Sequence, residues 1–137
     1  MTQINEVRTV LENKIELMKE MLKIQLEIIK IYEGVFNSIE LSRLTLQYRE
    51  MESEKLNIDS RFLEYYNAIL KENHVSSLQD IDADMRVEFK DVQKKVQLLV
   101  TLESELERQN QKISEDRIKH LKSQQIAKYK KNRNSNK

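Results

Sequence analysis

The sequence predicts an all-α protein: three long antiparallel helices, a helical hairpin plus a longer third helix, in a coiled-coil-like bundle. Three observations carry this. The 137 residues include no proline and a single glycine, Gly34, so almost nothing interrupts a helix. Aromatic residues make up only 6%, too little bulk for a thick globular core, whereas 39% hydrophobic content is too much for a disordered chain. Apolar residues recur at spacings of three and four, the signature of helices that bury one stripe.

The first helix is expected from about Ile4 to Phe36. Ile4, Leu11 and Met18 recur every seven residues, as do Ile15, Leu22, Ile29 and Phe36. Between Ile24 and Phe36 the apolar positions wrap further round, through Leu26, Ile28, Ile31 and Val35. Such a wide face implies contact on two sides, or an apolar surface awaiting a partner. Gly34 and the pair Asn37-Ser38 mark the break, because Asn and Ser side chains satisfy the free N–H groups of a new helix.

The second helix, from about Ser38 to Glu72, has the cleanest pattern: Leu41, Leu44, Tyr48, Met51, Lys55, Ile58, Phe62, Tyr65 and Ile69. Only Lys55 interrupts this stripe. A polar seam residue can set register, or its stem can pack while its amine reaches water. The stretch "ENHVSSLQDIDAD" then breaks the periodicity. Ser77 or Asp80 can cap the third helix, and Asp80, Asp82 and Asp84 suit the positive end of its dipole. That helix continues through Met85, Phe89, Val92, Val96, Leu99, Leu102, Leu106 and Ile113. Spacings of three, three and four around Leu99 to Leu106 argue against an extended regular coiled coil there.

Charge divides the chain into a helical bundle domain, residues 1–116, and a basic C-terminal helical extension and tail, residues 117–137. The extension holds eight basic side chains and no acidic one, whereas the bundle has a net charge of −7. Two helices of about 35 residues span roughly 50 Å. On that scale a third helix starting near Asp80 draws level with the Gly34–Ser38 turn near Ser114. Beyond it, Ile118, Leu121, Ile126 and Tyr129 are expected on an overhang without intrachain cover.

Most site chemistries find no support in these residues. Without cysteine there is no disulfide or thiol chemistry. No Gly-rich loop could cradle phosphate. Asp80, Asp82 and Asp84 resemble half of a calcium loop, but Met85 stands where the sharp turn needs Gly. His74 and His120 have no second ligand at i+3 or i+4. Neither an enzyme nor a cofactor is expected. No apolar run reaches the ~18 residues that span a bilayer, and "MTQINEVRTVLENK" lacks a secretory layout, so a cytoplasmic protein is expected. The acidic body argues against nucleic acid as the partner of the basic tail.

The segments "YREMESEKLNIDSRFLEYYNAIL", "HVSSLQDI" and "LVTLESELERQNQKI" resemble the bacterial flagellar export chaperones of the FlgN-like kind, with the FliT-like chaperones a close second. The corresponding positions are Glu50, Glu54 and Leu56, then Leu78, then Glu105 and Asn110, within residues 5–115. The resemblance implies a cytoplasmic chaperone of type III secretion. It would hold the terminal helices of hook-associated or cap proteins and deliver them to the export apparatus. The C-terminal helix is the client-binding element in that family. On this chain the stripe Leu99, Leu102, Leu106, Ile113, Ile118 and Leu121 would supply the groove. The competing expectation is a homo-oligomeric coiled-coil scaffold or adaptor, with Lys55 and the stripe of helix two specifying self-association; a homodimer is compatible with the chaperone, whereas a scaffold should assemble further.

Overall fold

The computed structural model describes residues 2–72 and 83–135, with side chains described for 4–72 and 90–131. It consists of α1 (Thr2–Glu33), α2 (Ser38–Glu72) and α3 (Ala83–Ser135). No strand occurs among the described residues. The chain is an all-α bundle. At 1.5 Å per residue the first two helices each run about 50 Å and α3 about 80 Å.

The first helix stops three residues before its expected end. Gly34 N–H donates to the Lys30 carbonyl at 2.9 Å, closing the last turn. Asn37 then starts α2: its Oδ1 accepts from Glu40 N–H at 3.1 Å and its carbonyl from Leu41 N–H at 3.0 Å. The acidic Glu40 occupies the first turn, where the helix dipole favours it. Ser77, Asp80, Asp82, His74 and Leu78 lie outside the described residues, as do the side chains of Asp84, Met85 and Phe89.

The first helix is the spine. Ile4, Val7, Leu11, Met18, Met21, Gln25 and Ile28 form one buried heptad seam, with Val10 and Ile24 buried on one flank and Ile15 on the other. No single neighbour can cover so wide a face, and α1 packs closely along both α2 and α3. Lys14 pairs with Asp59, while Ile24 and Ile28 cluster with Leu44, so α2 runs antiparallel to α1. Arg8 pairs with Asp91, Lys95 with Glu12, Gln25 with Asn110, and Phe36 stacks on His120, so α3 runs parallel to α1. By contrast α2 and α3 share little close backbone contact. They meet through side chains, notably an ion pair from Lys55 to Glu103. Lys55 is therefore neither a register polar group buried alone nor an amine left in water.

Two expectations about α3 change. Its seam is a strict heptad after all: Val92, Lys95, Leu99, Leu102, Leu106, Gln109, Ile113, Asp116 and His120 alternate three and four and are all buried or half-buried. Following apolar residues alone places the exposed Val96 in the seam and loses the register, because four seam positions are polar. The second change concerns the overhang. Asp116 is buried and His120 stacks on Phe36 at 3.9 Å, so intrachain cover continues past Ser114. The reason is the pairing offset: Arg8 meets Asp91, 83 residues on, so α3 draws level with the α1–α2 turn later than a start near Asp80 implies.

The apolar core is densest at the end built from Ile4, Val7, Leu11, Met18, Met21, Ile69, Val92, Leu99 and Leu106. Met18, fully buried, should be the most sensitive position there. Met18→Ala is expected to cost about 2–5 kcal/mol in urea unfolding. A second expectation concerns acid. The hydrogen bond from Lys95, with the charges of Lys95 and Arg8, holds the Asp91 carboxyl below the usual carboxylate range. A depressed folded pKa gives stabilisation above the unfolded value that is lost as pH falls through the folded one. The melting midpoint followed by circular dichroism should therefore drop on acidification through that range, and Asp91→Asn should lessen the drop.

Candidate functional site

Because α2 and α3 both lean on α1 but stand apart from each other, a cleft runs between them with α1 as its floor. Three cavities lie along it. The first, about 370 Å³, is bounded by Leu11 and Lys14 of α1, Phe62 of α2, and Val96, Leu99 and Val100 of α3. The middle one, about 200 Å³, lies over Met21 between Leu56 and Leu106. The third, about 600 Å³, lies over Gln25, Ile28 and Tyr32 between Leu41, Tyr48 and Ile113. The Lys55–Glu103 pair crosses the cleft between the first and middle segments.

The rims carry apolar side chains that the heptad seams do not use. Leu56 on α2 is 68% exposed and Val100 on α3 is 60% exposed, with Leu46 similarly open on α2. Leu56 and Val100 each lie beside a seam residue, after Lys55 and Leu99 respectively, whereas Leu46 lies midway between Leu44 and Tyr48. Side chains one position off a seam flank the space between two helices rather than the contact with a third. They leave apolar surface exposed along the cleft, around which three helices are already in place.

The third segment contains a polar layer drawn from all three helices. Gln25, 1% exposed, donates from Nε2 to Asn110 Oδ1. Asn110 in turn lies within hydrogen-bonding reach of the Tyr48 hydroxyl. Burial pushes that hydroxyl above its ordinary pKa, Asn110 pulls it partly back, and Glu52 and Glu103 push it up further. The other amide atom, Gln25 Oε1, is buried with no partner. Arg49 and Arg117 line the same segment. Neither makes an ion pair among the described residues.

Beyond this layer the α1–α3 seam stays polar. Lys112 pairs with the buried Asp116 at 2.7 Å and approaches Glu33 at 3.8 Å. His120 stacks on Phe36 and meets the Tyr32 ring edge-on at 5.9 Å. Desolvation raises the Tyr32 pKa, with Arg117 opposing and Asp116 reinforcing. Among the described residues no cluster of acidic, His or Cys side chains could hold a metal ion.

The six residues expected to form one groove are divided by the structure. Leu99 and Leu106 are buried in the main core, and each shows one edge to the cleft. Leu102 packs half-buried against that core away from the cleft. Ile113 packs against the second cluster and lines the third segment. Ile118 and Leu121 are about half exposed and line none of these three cavities. The single continuous groove is thus replaced by a cleft to which Leu99, Leu106 and Ile113 contribute and Leu102, Ile118 and Leu121 do not. Of the positions behind the family resemblance, Leu56 and Asn110 line the cleft, Glu105 pairs with Arg108, and Glu50 and Glu54 are solvated. Gln25, Leu46 and Val100 were not anticipated. A polar residue at the heptad position between Met21 and Ile28, and valine one step off a seam, were the signals that could have found Gln25 and Val100; Leu46, two residues from both Leu44 and Tyr48, carries no such signal.

The unpartnered Gln25 oxygen should weaken the isolated protein. Leaving a buried acceptor unmade costs about 1–3 kcal/mol, and the exposed Asn110 can turn to water if Gln25 is removed. Gln25→Met is therefore expected to raise the melting temperature, as read by differential scanning calorimetry. Comparison of the chain with protein-family models, curated proteins and solved structures found no match.

Proposed function

We propose that this chain is a cytoplasmic export chaperone of the flagellar type III secretion class. It holds the terminal amphipathic helix of a hook-associated or cap protein in the α2–α3 cleft before that protein is exported. The observation that carries this reading is the set of apolar side chains spaced along the cleft, Leu46 and Leu56 from α2 and Val96 and Val100 from α3, over a floor of buried core residues. An amphipathic helix has one apolar stripe that aggregates when unassembled. The cleft can cover that stripe by completing a fourth position, the helix-in-groove mode of recognition. Nothing in the binding step requires a cofactor or a covalent intermediate.

Release must remain easy for a chaperone that hands its client on. The cleft suits this because its segments are discontinuous and its rims carry Lys55, Glu103 and Glu107, so an occupant is wet along part of its length. The scaffold alternative loses the surface expected for it, because the helix-two stripe packs within the bundle and Lys55 pairs with Glu103 of the same chain, and it must draw on a different one. Ile118, Leu121, Ile126 and Tyr129 are exposed on the basic extension and could pair with copies of the chain.

The doubly substituted Leu56→Asp, Val100→Asp chain should retain its helicity by circular dichroism. It should lose at least tenfold in affinity for a terminal-helix peptide of a hook-associated protein, since two buried apolar contacts become desolvated charges. Isothermal titration measures this, and an affinity equal to the parent chain's would refute the cleft as the binding site. Light scattering of the unliganded chain separates the alternative, which requires assemblies larger than a dimer in the absence of any client.

A further inference from the structure

We infer that the cleft recognises its occupant through a buried hydrogen bond as well as through apolar cover. The helix it takes presents one N–H or O–H donor to Gln25 Oε1 and carries acidic side chains toward Arg49 and Arg117. This rests on the reading that the cleft holds a partner helix, and it specifies that helix's chemistry and register.

Three observations support it. Gln25 is almost wholly buried, its Nε2 is committed to Asn110, and its Oε1 has no partner, although it borders the widest segment of the cleft. Among the described residues no neighbour supplies the missing donor: Asn110 meets Gln25 with its oxygen and lies against the Tyr48 hydroxyl. A buried acceptor without a partner in the floor of a cleft is the position at which an occupant gains most by bringing a donor. A polar seam group of this kind fixes register, since sliding the helix by one turn would bury the donor and acceptor apart.

Charge agrees with the hydrogen bond. Among the described residues, Arg49 and Arg117 border the segment without ion pairs, and Glu52 and Glu107 border the adjoining one likewise. Glu107 lies three residues from Asn110 along α3, about 5 Å, and Arg117 lies seven residues the other way, about 10 Å. The complementary helix therefore carries an acidic residue about two turns from its donor on one side and a basic residue about one turn away on the other. The chain's own extension does not meet this pattern. Its charged residues are all basic and would face Arg49 and Arg117 with like charge, so the occupant is a helix of another protein and not this extension, its own or a second copy's.

Synthetic amphipathic peptides of about three heptads test this by fluorescence anisotropy against the full chain. The first has a leucine seam with one central Asn, Glu seven residues to one side and Lys four residues to the other. The second replaces Asn with Leu, and the third replaces Glu with Lys. The Asn peptide should bind the parent chain about tenfold more tightly than the Leu peptide, and Gln25→Met should abolish or reverse that preference. The third peptide should bind weakly to the parent and recover on the Arg49→Glu, Arg117→Glu chain. Should Gln25→Met fail to fold, the comparison of the first two peptides on the parent chain still decides. Equal binding of the Asn and Leu peptides overturns the hydrogen bond and leaves helix binding intact. Binding of none of the three overturns both.

Discussion

The double-sided burial of α1 governs the rest of the structure. With apolar residues at the seam and on both flanks, this helix needs two covering neighbours, and the hairpin return and the parallel third helix provide them. Each neighbour then spends its own seam on α1. What α2 and α3 turn toward each other is polar: Lys55 against Glu103, Tyr48 against Asn110, with Glu52 and Glu107 alongside. Long polar side chains cannot close a dry interface without complete pairing, so the two helices stay apart. The cleft follows from the charge and hydrogen-bonding character of those facing rows.

Polarity also changes along the bundle axis. At one end the α1–α3 seam is Val92, Leu99 and Leu106 against aliphatic residues of α1. Toward the α1–α2 turn it becomes Gln109, Asp116 and His120, each with a buried nitrogen or oxygen that has no hydrogen-bond partner. Stability is therefore concentrated at the aliphatic end, and the polar end opens at lower cost. The largest part of the cleft lies at that more adaptable end. A site that must accept and release a helix benefits from walls that can separate slightly without unfolding the molecule.

Much of the architecture was legible from periodicity. The α2 boundaries and the Asn37 start follow from spacing and capping chemistry, because those features depend on residues near one another in sequence. The wide face of α1, by contrast, was expected between Ile24 and Phe36, where Leu26 and Val35 are exposed, and not at the buried flanks Val10 and Ile15. The register of α3 was obscured for a definite reason. Lys95, Gln109, Asp116 and His120 occupy seam positions, and a pattern search that counts apolar residues replaces Lys95 with Val96. The overhang was placed too early because the offset between parallel helices depends on pairing, as between Arg8 and Asp91, which no local pattern reveals. The cleft was illegible for the same reason. Leu56 and Val100 appear in sequence as ordinary leucine and valine beside a seam, and only the separation of α2 from α3 makes them rims.

The extension beyond His120 gives the molecule a second apolar surface with different selectivity. Residues 121–135 prolong an uninterrupted helix by about 22 Å past the turn, so Leu121, Ile126 and Tyr129 stand clear of the cleft on a rod bearing only positive charges. The cleft alternates in sign, with arginines at the turn end and glutamates in its middle. A helix acidic along its whole length would suit the extension and be repelled by Glu52 and Glu107. A helix of mixed sign would suit the cleft and gain less from the extension. Arg117 stands where the two surfaces meet, bordering the cleft on the first turn of the basic segment. The cleft and the extension are therefore contiguous at Arg117 and differ in their pattern of charge.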